Sequence, residues 1–349
     1  MISVVPSQPP ESFVFASSIK GDVWHRSTDS KSYEWWYFDA LSAGGKEAIL
    51  ITFLDNFVYS PRYNRAATDK DELSERFPAL SFTYFADGEA LYRSTAEHAG
   101  TEFSASSDKP QLRLGNSGFS WSEGSYGSGF TVEIDTVISR GRRLKAHLEW
   151  LSIEADLRAE QDVTGPRLHC WNMVAPRSDV TGHIEVINKD GSTADVRHFR
   201  GTGYHDHVTD NRWLTQTVRD WHWGRAHFAD ATAVFCRYRE VGNEAPVSKL
   251  LIVKEGELRE RSVRYEEQNF VRDKFGIRYP TRLRLISEDN MRLRVKPIQL
   301  IHSSFYFLRF LSEFTLTLRD GVPRKTRGIS EFVAPKALKT RWINWLGKA

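Results

Sequence analysis

The stretch Phe130–Ile153 reads FTVEIDTVISRGRRLKAHLEWLSI. Phe130, Val132 and Ile134 alternate with Thr131, Glu133 and Asp135 before a turn at Gly141, and the alternation resumes in LKAHLEWLSI. A strand sends successive side chains to opposite faces, so this is the signature of a half-buried antiparallel hairpin. The same device recurs outward in both directions. Toward the N-terminus, YEWWYFDA (33–40) turns at Gly44-Gly45 into EAILITFLDNFVY (47–59), and LSFTYFADGEALYRS (80–94) turns at Asp87-Gly88. Toward the C-terminus, HIEVINKDGSTADVRHF (183–199) turns at Asp190-Gly191 and KLLIVKEGELRER (249–261) at Glu255-Gly256. ATAVFCRY, TRLRLIS, MRLRVKPIQLI and FTLTLRDGVPRKTRGISEFV add further short strands.

Short strands with Asp-Gly or Glu-Gly turns, and almost no helical periodicity, predict an all-β protein built of antiparallel barrels or sandwiches. Two β halves are expected to join near Gly201. The organisation is then an extended N-terminal segment (1–22), an N-terminal β domain (23–200) and a C-terminal β domain (201–349). The Gly- and Ser-rich run 118–129 reads as a mobile loop, and the charged segment 62–76 as a short helix over a barrel mouth. One amphipathic helix is expected in APKALKTRWINWLGKA (334–349), with Leu338, Trp342, Trp345 and Leu346 on one side. It would cap a barrel or, being basic with tryptophans, touch a membrane surface.

Composition removes several function classes. The 349 residues carry 48 basic and 45 acidic side chains, scattered along the chain, so the electrostatic footprint of a nucleic-acid binder is missing. No run of about 18 apolar residues predicts a membrane-spanning helix. The start, MISVVPSQPPESFVF, lacks the basic and apolar regions of a secretory signal, and a cytoplasmic protein is expected. Cys170 and Cys236 form no CxxC pair and read as free buried thiols. No GxSxG elbow, Walker loop or GxGxxG after a strand occurs.

The chemistry concentrates between Gly201 and Phe228, GTGYHDHVTDNRWLTQTVRDWHWGRAHF. On a strand, Tyr204 and Asp206 share one face and His205 and His207 the other; Trp221 and Trp223 stand together with His222 opposite. A carboxyl beside a tyrosine would then face a wall of indoles. The HDH pair has the i, i+2 spacing of strand metal ligands, which His169 or Asp210 would complete. His198, His222 and His227 read as surface or satisfied core histidines, and Glu34 as a buried ion-pair partner.

EWWYFDA near the start, LHCWNMVAPR in the middle, then GTGYHDH and WHWGRAHF, in this order, resemble the carotenoid 1,2-hydratase (hydroxyneurosporene synthase) family and its lipocalin-like relatives. The resemblance implies two lipocalin-like barrels packed together, no metal, and a cavity near their junction lined by His169 and Trp171 of an HxW motif and by Tyr204, Asp206 and His207. One departure stands out. Val208 and Thr209 follow the histidine where the family pattern continues with Asn, an aromatic residue and Gly.

The residues make chemical sense of such an activity. Adding water to an isolated alkene needs a proton delivered to carbon and a tertiary cation that water captures; no redox cofactor is required. A carboxyl stays protonated near neutrality when an apolar pocket desolvates it, which assigns the acid to Asp206. Indole and phenol faces stabilise the cation by about 0.5–2 kcal/mol each, the candidates being Trp171, Tyr204, Trp221 and Trp223. Trp36 joins the expected substrate-binding set, although barrel core is the commoner role for Trp35 and Trp36. His169 or His207 would hold the carboxyl proton or position water. The function expected is a cofactor-independent hydratase, or a cyclase, on a hydrophobic isoprenoid-type substrate. A lipocalin-like carrier of an apolar ligand is the alternative, with a pericyclase between the two.

Overall fold

The computed structural model describes residues 13–27, 29–69, 73–125, 127–158, 169–243, 245–319 and 321–339. The first part of the chain forms β1 (Phe13–Ala16), β2 (Tyr33–Ser42), β3 (Glu47–Leu54), α1 (Pro61–Asp69), β4 (Ala79–Ala86) and β5 (Glu89–Glu97). It continues through β6 (Phe103–Ala105), β7 (Gln111–Leu114), β8 (Ser117–Gly124), β9 (Gly127–Val137), β10 (Arg143–Glu154), β11 (His169–Ile187) and β12 (Thr193–Asp210). These strands make one sheet in the order β5-β4-β3-β2-β12-β11-β10-β9-β8-β7-β6, with β1 parallel to the start of β11.

After the single turn α2 (Leu214–Thr217), the chain forms β13 (Val218–His227), β14 (Thr232–Glu240), β15 (Val247–Lys254), β16 (Glu257–Arg272), β17 (Arg278–Ser287), β18 (Arg292–Ser303), β19 (Phe307–Thr317) and β20 (Arg324–Val333). Each of these strands pairs with its sequence neighbour and β20 pairs with β13, which closes a barrel. The all-β class is as the alternation predicts, with the second half a closed barrel. The first half is a curled sheet whose ladder stays open. Its β5 edge is tied back to β9 by side chains, the Ser94 hydroxyl meeting Thr136 at 2.8 Å and the Val137 carbonyl at 2.9 Å.

Three expectations of detail change. Gly201 is no junction: it lies within β12, opposite Ser42 of β2, and the chain passes from sheet to barrel at 211–217. Gly118–Gly129 is the β8–β9 hairpin, because Phe119 and Phe130 lie inside the curled sheet and hold both arms there. Of the expected terminal helix, Pro335–Lys339 forms a short 3-10 turn and 340–349 lie outside the described residues, as do 1–12 of the N-terminal segment. The helix expected within 62–76 is α1, which buries Tyr63, Asn64 and Ala67. Among the described residues, no helix is long and apolar enough to cross a membrane.

Period two along each strand divides most of the apolar residues among three large cores, with a small fourth cluster of Ile277, Leu308 and Phe310. One fills the curled sheet, with Trp36, Phe38, Phe130 and Trp150. A second fills the barrel, with Phe235, Leu285, Leu293 and Phe314. The third lies between the outer faces of the two, and joins Tyr37, Leu50, Trp171 and Tyr204 to Trp223, Cys236 and Tyr238. Gly203 serves the first core, since a Cβ there would stand 2.4 Å from the Trp150 indole nitrogen.

Between the outer faces, Asp39 of β2 and Arg225 of β13 form an ion pair in which both side chains are almost fully buried. Removing one partner leaves the other charge uncompensated in a low-dielectric contact. Asp39→Ala is therefore expected to cost about 3–5 kcal/mol in urea-unfolding experiments. A double replacement of both residues by apolar side chains should recover most of that loss.

Candidate active site

Two walls enclose a cavity of about 250 Å³ between the sheet and the barrel. The register of β11 on β12 sets His169 opposite Asp210 and Trp171 opposite Val208, which places His169 and Trp171 on the same face as Tyr204 and Asp206. Asp206 in turn heads a row of cross-strand partners, Tyr37, Thr52, Ser81 and Thr95, that runs across β2, β3, β4 and β5. All five line the cavity, and the row passes from buried Asp206 to exposed Thr95. The acid sits at the dry end of a file of hydroxyls.

The barrel wall is a second row. Cys236 of β14, Trp223 of β13, Glu331 of β20 and Arg309 of β19 are successive cross-strand partners and all line the cavity. Trp221 and Tyr238 extend it. Trp35 and Trp221 meet across the cavity with ring centroids 6.0 Å apart, and Trp223 meets Tyr204 of the sheet with 5.1 Å between centroids.

Asp206 is held asymmetrically. Its Oδ2 accepts hydrogen bonds from Trp171 Nε1 at 2.9 Å and from the Tyr204 hydroxyl at 2.8 Å. Oδ1 is buried and has no hydrogen-bond partner among the described residues. Burial pushes this carboxyl up to about 7, against the pull of those two donors. Two donors saturating one oxygen leave the other to carry the proton. The neighbouring Cys236 thiol is pushed up to about 12 by burial, so it stays neutral.

The other polar groups differ in character. His169 Nδ1 lies 3.2 Å from Asp210 Oδ2 and 3.4 Å from the Tyr33 hydroxyl, its ring stacked on Tyr238 at 4.6 Å. Burial pushes Asp210 up, but hydrogen bonds from His169 and Arg212 outweigh it and hold the carboxyl below its usual range. Burial also raises Glu331, opposed by Arg309, whose Nε donates to Glu331 Oε1 and whose guanidinium lies 5.0 Å over the Tyr37 ring. The Glu331 charge in turn adds to the upward push on Asp206. Burial, with Arg93, Arg309 and Lys274 nearby, lowers His302 to about 3, so that imidazole is neutral.

Of the residues predicted from sequence, Asp206, Tyr204, His169, Trp171, Trp221 and Trp223 come together here, Tyr204 through its contacts with Asp206 and Trp223. His207 and Trp36 do not. Their odd and even positions on β12 and β2 point them into the curled sheet, where their rings stack at 4.5 Å. Trp35, one residue earlier, takes the cavity instead. Tyr37, Arg309, Glu331 and His302 were not singled out by the sequence reading; an acid inside the otherwise apolar alternation of GISEFV was the signal available for Glu331.

The set His205, His207 and His169 or Asp210 is divided by the sheet. His205 and His207 face inward, where His205 meets Asp22 at 3.0 Å and His207 lies 2.7 Å from Glu34 and 3.3 Å from Asp22. Among the described residues, those grouped so that they could hold a metal ion are His25, Glu34 and His207, whose ligand atoms lie within 4.8 Å of one another. Here they bond one another and tie the segment before β2 to β12. Of the remaining histidines, His198 is exposed, His222 bonds the Tyr265 hydroxyl inside the barrel, and His227 bonds the Pro176 carbonyl at 2.9 Å.

The profile of the carotenoid hydratase CrtC family matches residues 50–330. A hydroxyneurosporene dehydrogenase of Chlorobaculum tepidum is 25% identical over 342 residues, covering 92% of this chain and 87% of that protein. An acyclic carotenoid 1,2-hydratase of Rubrivivax gelatinosus is 27% identical over 213 residues, 60% of this chain and 48% of that protein. Among solved structures, a putative AttH from Nitrosomonas europaea superposes with a TM-score of 0.59 at 16% identity, over 95% of this chain and 98% of that one. It shares the fold.

A carboxyl whose folded pKa is raised binds more protons than the unfolded chain across the interval between the two values. Its contribution to stability is complete below the ordinary aspartate range and is lost as pH rises to about 7. Relative to Asp206→Asn, the wild-type protein should therefore become steadily less stable from about pH 4 to 7 in denaturant melts. Parallel curves for the two proteins would mean that Asp206 is already ionised.

Proposed function

The chain belongs to the carotenoid hydratase CrtC family, and from that premise we propose that it adds water across a terminal C=C bond of an acyclic, carotenoid-type isoprenoid, with Asp206 as the acid. The observation that carries the reading is the Asp206 carboxyl, which lines an aromatic cavity with both of its donors on one oxygen and the other oxygen buried without a hydrogen-bond partner among the described residues. Burying such a group costs several kcal/mol unless it is neutral or paired, a cost that a carrier of apolar ligands has no use for.

Asp206 Oδ1 delivers its proton to the less substituted alkene carbon. The tertiary cation forms among Trp35, Trp171, Trp221 and Trp223, whose ring faces attract it without offering a nucleophile. Trp171 and Tyr204, already aimed at Oδ2, stabilise the carboxylate left behind, so that no donor has to move during the step. Water then captures the cation. The cavity, at about 250 Å³, is just below the roughly 300–1,000 Å³ of sites that enclose a drug-sized ligand, and so admits the end of a long polyene while the rest lies outside. Cyclisation would use the same acid but quench the cation with an internal alkene. The polar groups that line the cavity with Asp206, namely Thr52, Ser81, His302 and the Arg309–Glu331 pair, favour water.

Incubation with lycopene in H₂¹⁸O should yield a tertiary alcohol carrying the heavy oxygen, and Asp206→Asn should lower its rate by at least about 10²-fold. An isomeric product without added oxygen would replace hydration by cyclisation. Trp171→Phe removes a hydrogen bond that favours the charged carboxyl, so the alkaline limb of its pH–rate profile should move to higher pH. An unmoved limb would disconnect Asp206 from that limb.

A further inference from the structure

We propose that Glu331 is a second catalytic residue, the base that holds the attacking water on the barrel wall and takes its proton. The inference rests on the hydration reading above. The cavity holds two carboxyls in contrasting settings. Asp206, on the sheet wall, is met only by the neutral donors Trp171 and Tyr204. Glu331, on the barrel wall, is paired with the Arg309 guanidinium, a cationic partner that opposes the upward push of burial and favours the carboxylate form. Environments that separate two neighbouring carboxyls in this way divide the roles of acid and base between them.

The pairing is specific to the cavity. Glu331 and Arg309 are direct cross-strand partners on the barrel's outer face, each with about an eighth of its side chain exposed, at 12% and 13%. Arg309 is itself fixed over the rings of Tyr37 and Phe307, at 5.0 and 4.9 Å. Glu331 thus stands next to Trp223, which touches Tyr204, which bonds Asp206. A weak base is sufficient at this point, because a water bonded to a tertiary carbocation is a strong acid. What the reaction asks of Glu331 is an oriented acceptor pinned away from carbon, and Arg309 pins it.

The balance closes without a cofactor. The Asp206 O–H bond breaks as the C–H bond forms; a lone pair of water forms the C–O bond; the water proton passes to Glu331. Solvent then returns one proton from Glu331 to Asp206, and the net change is alkene plus water to alcohol. With acid and base on facing walls, proton and hydroxyl add to opposite faces of the alkene.

The test separates the two half-steps in D₂O, with lycopene as the probe. Wild-type protein forms the deuterated alcohol. Glu331→Gln should lose alcohol formation by at least about 10²-fold while still exchanging deuterium into recovered alkene, because Asp206 keeps protonating carbon and the cation collapses back. Asp206→Asn should lose both, and Glu331→Asp, which keeps the charge, should retain part of the alcohol formation. Alcohol formation at the wild-type rate in Glu331→Gln overturns the assignment and leaves hydration by Asp206 standing. Loss of exchange and alcohol together, in Glu331→Gln or in Glu331→Asp, makes the residue structural and also overturns it. If the wild-type protein itself neither hydrates nor exchanges, the hydration reading fails and takes this proposal with it.

Discussion

The structure turns on one desolvated carboxyl. Asp206 stands where two β faces meet, with water excluded by Trp171, Tyr204 and Trp223 and with both of its donors on a single oxygen. In water the group would be an anion and a poor acid. Moved into this contact it is pushed up to about 7, so that a carboxyl lining the cavity still holds its proton just below neutrality. Much of the surrounding architecture works to keep that contact dry and fixed. The buried Asp39–Arg225 pair clamps sheet to barrel beyond the cavity, and the inward network of Asp22, His205, His207 and Glu34 fixes β12 from its other face.

Strand alternation gives a single segment two duties. On β12, Tyr204, Asp206, Val208 and Asp210 serve the cavity, while His205 and His207 belong to the interior of the curled sheet. Dense ionisable motifs invite the view that all their members act on one substrate. Here the two histidines are separated from the acid by the sheet itself, and their contacts with the Asp22 and Glu34 carboxyls make them part of the frame that holds β12. Of the two histidines that do line the cavity, His169 comes from the neighbouring strand and is oriented by Asp210, and His302 comes from β18.

Much of this was legible from sequence, because period two is a local rule. The alternation in 130–153 gave the class, the Asp-Gly and Glu-Gly turns gave the hairpins, and the phase of GYHDH put Tyr204 and Asp206 together. What was hidden depends on pairing between distant segments. The register that brings Trp171 beside Asp206, and the row Cys236, Trp223, Glu331 and Arg309, join residues far apart in sequence. Gly201 read as a junction because glycine marks turns; β12 runs straight through it, paired on both sides. The glycines of 118–129 read as a loop because glycine weakens strands, whereas Phe119 and Phe130 anchor that hairpin in a core. Trp35 and Trp36 could not be assigned from EWWYF until the face of β2 was known.

The most direct test of the central claim is the protonation state of Asp206 itself. Carbon-13 labelling of aspartate, with resonances assigned by comparison with Asp206→Asn, follows that carboxyl through a pH titration by NMR. The account predicts a midpoint near 7, with the protonated form predominant at pH 6. A midpoint at or below the ordinary aspartate value of about 3.9 would contradict it, and would leave the cavity without its acid.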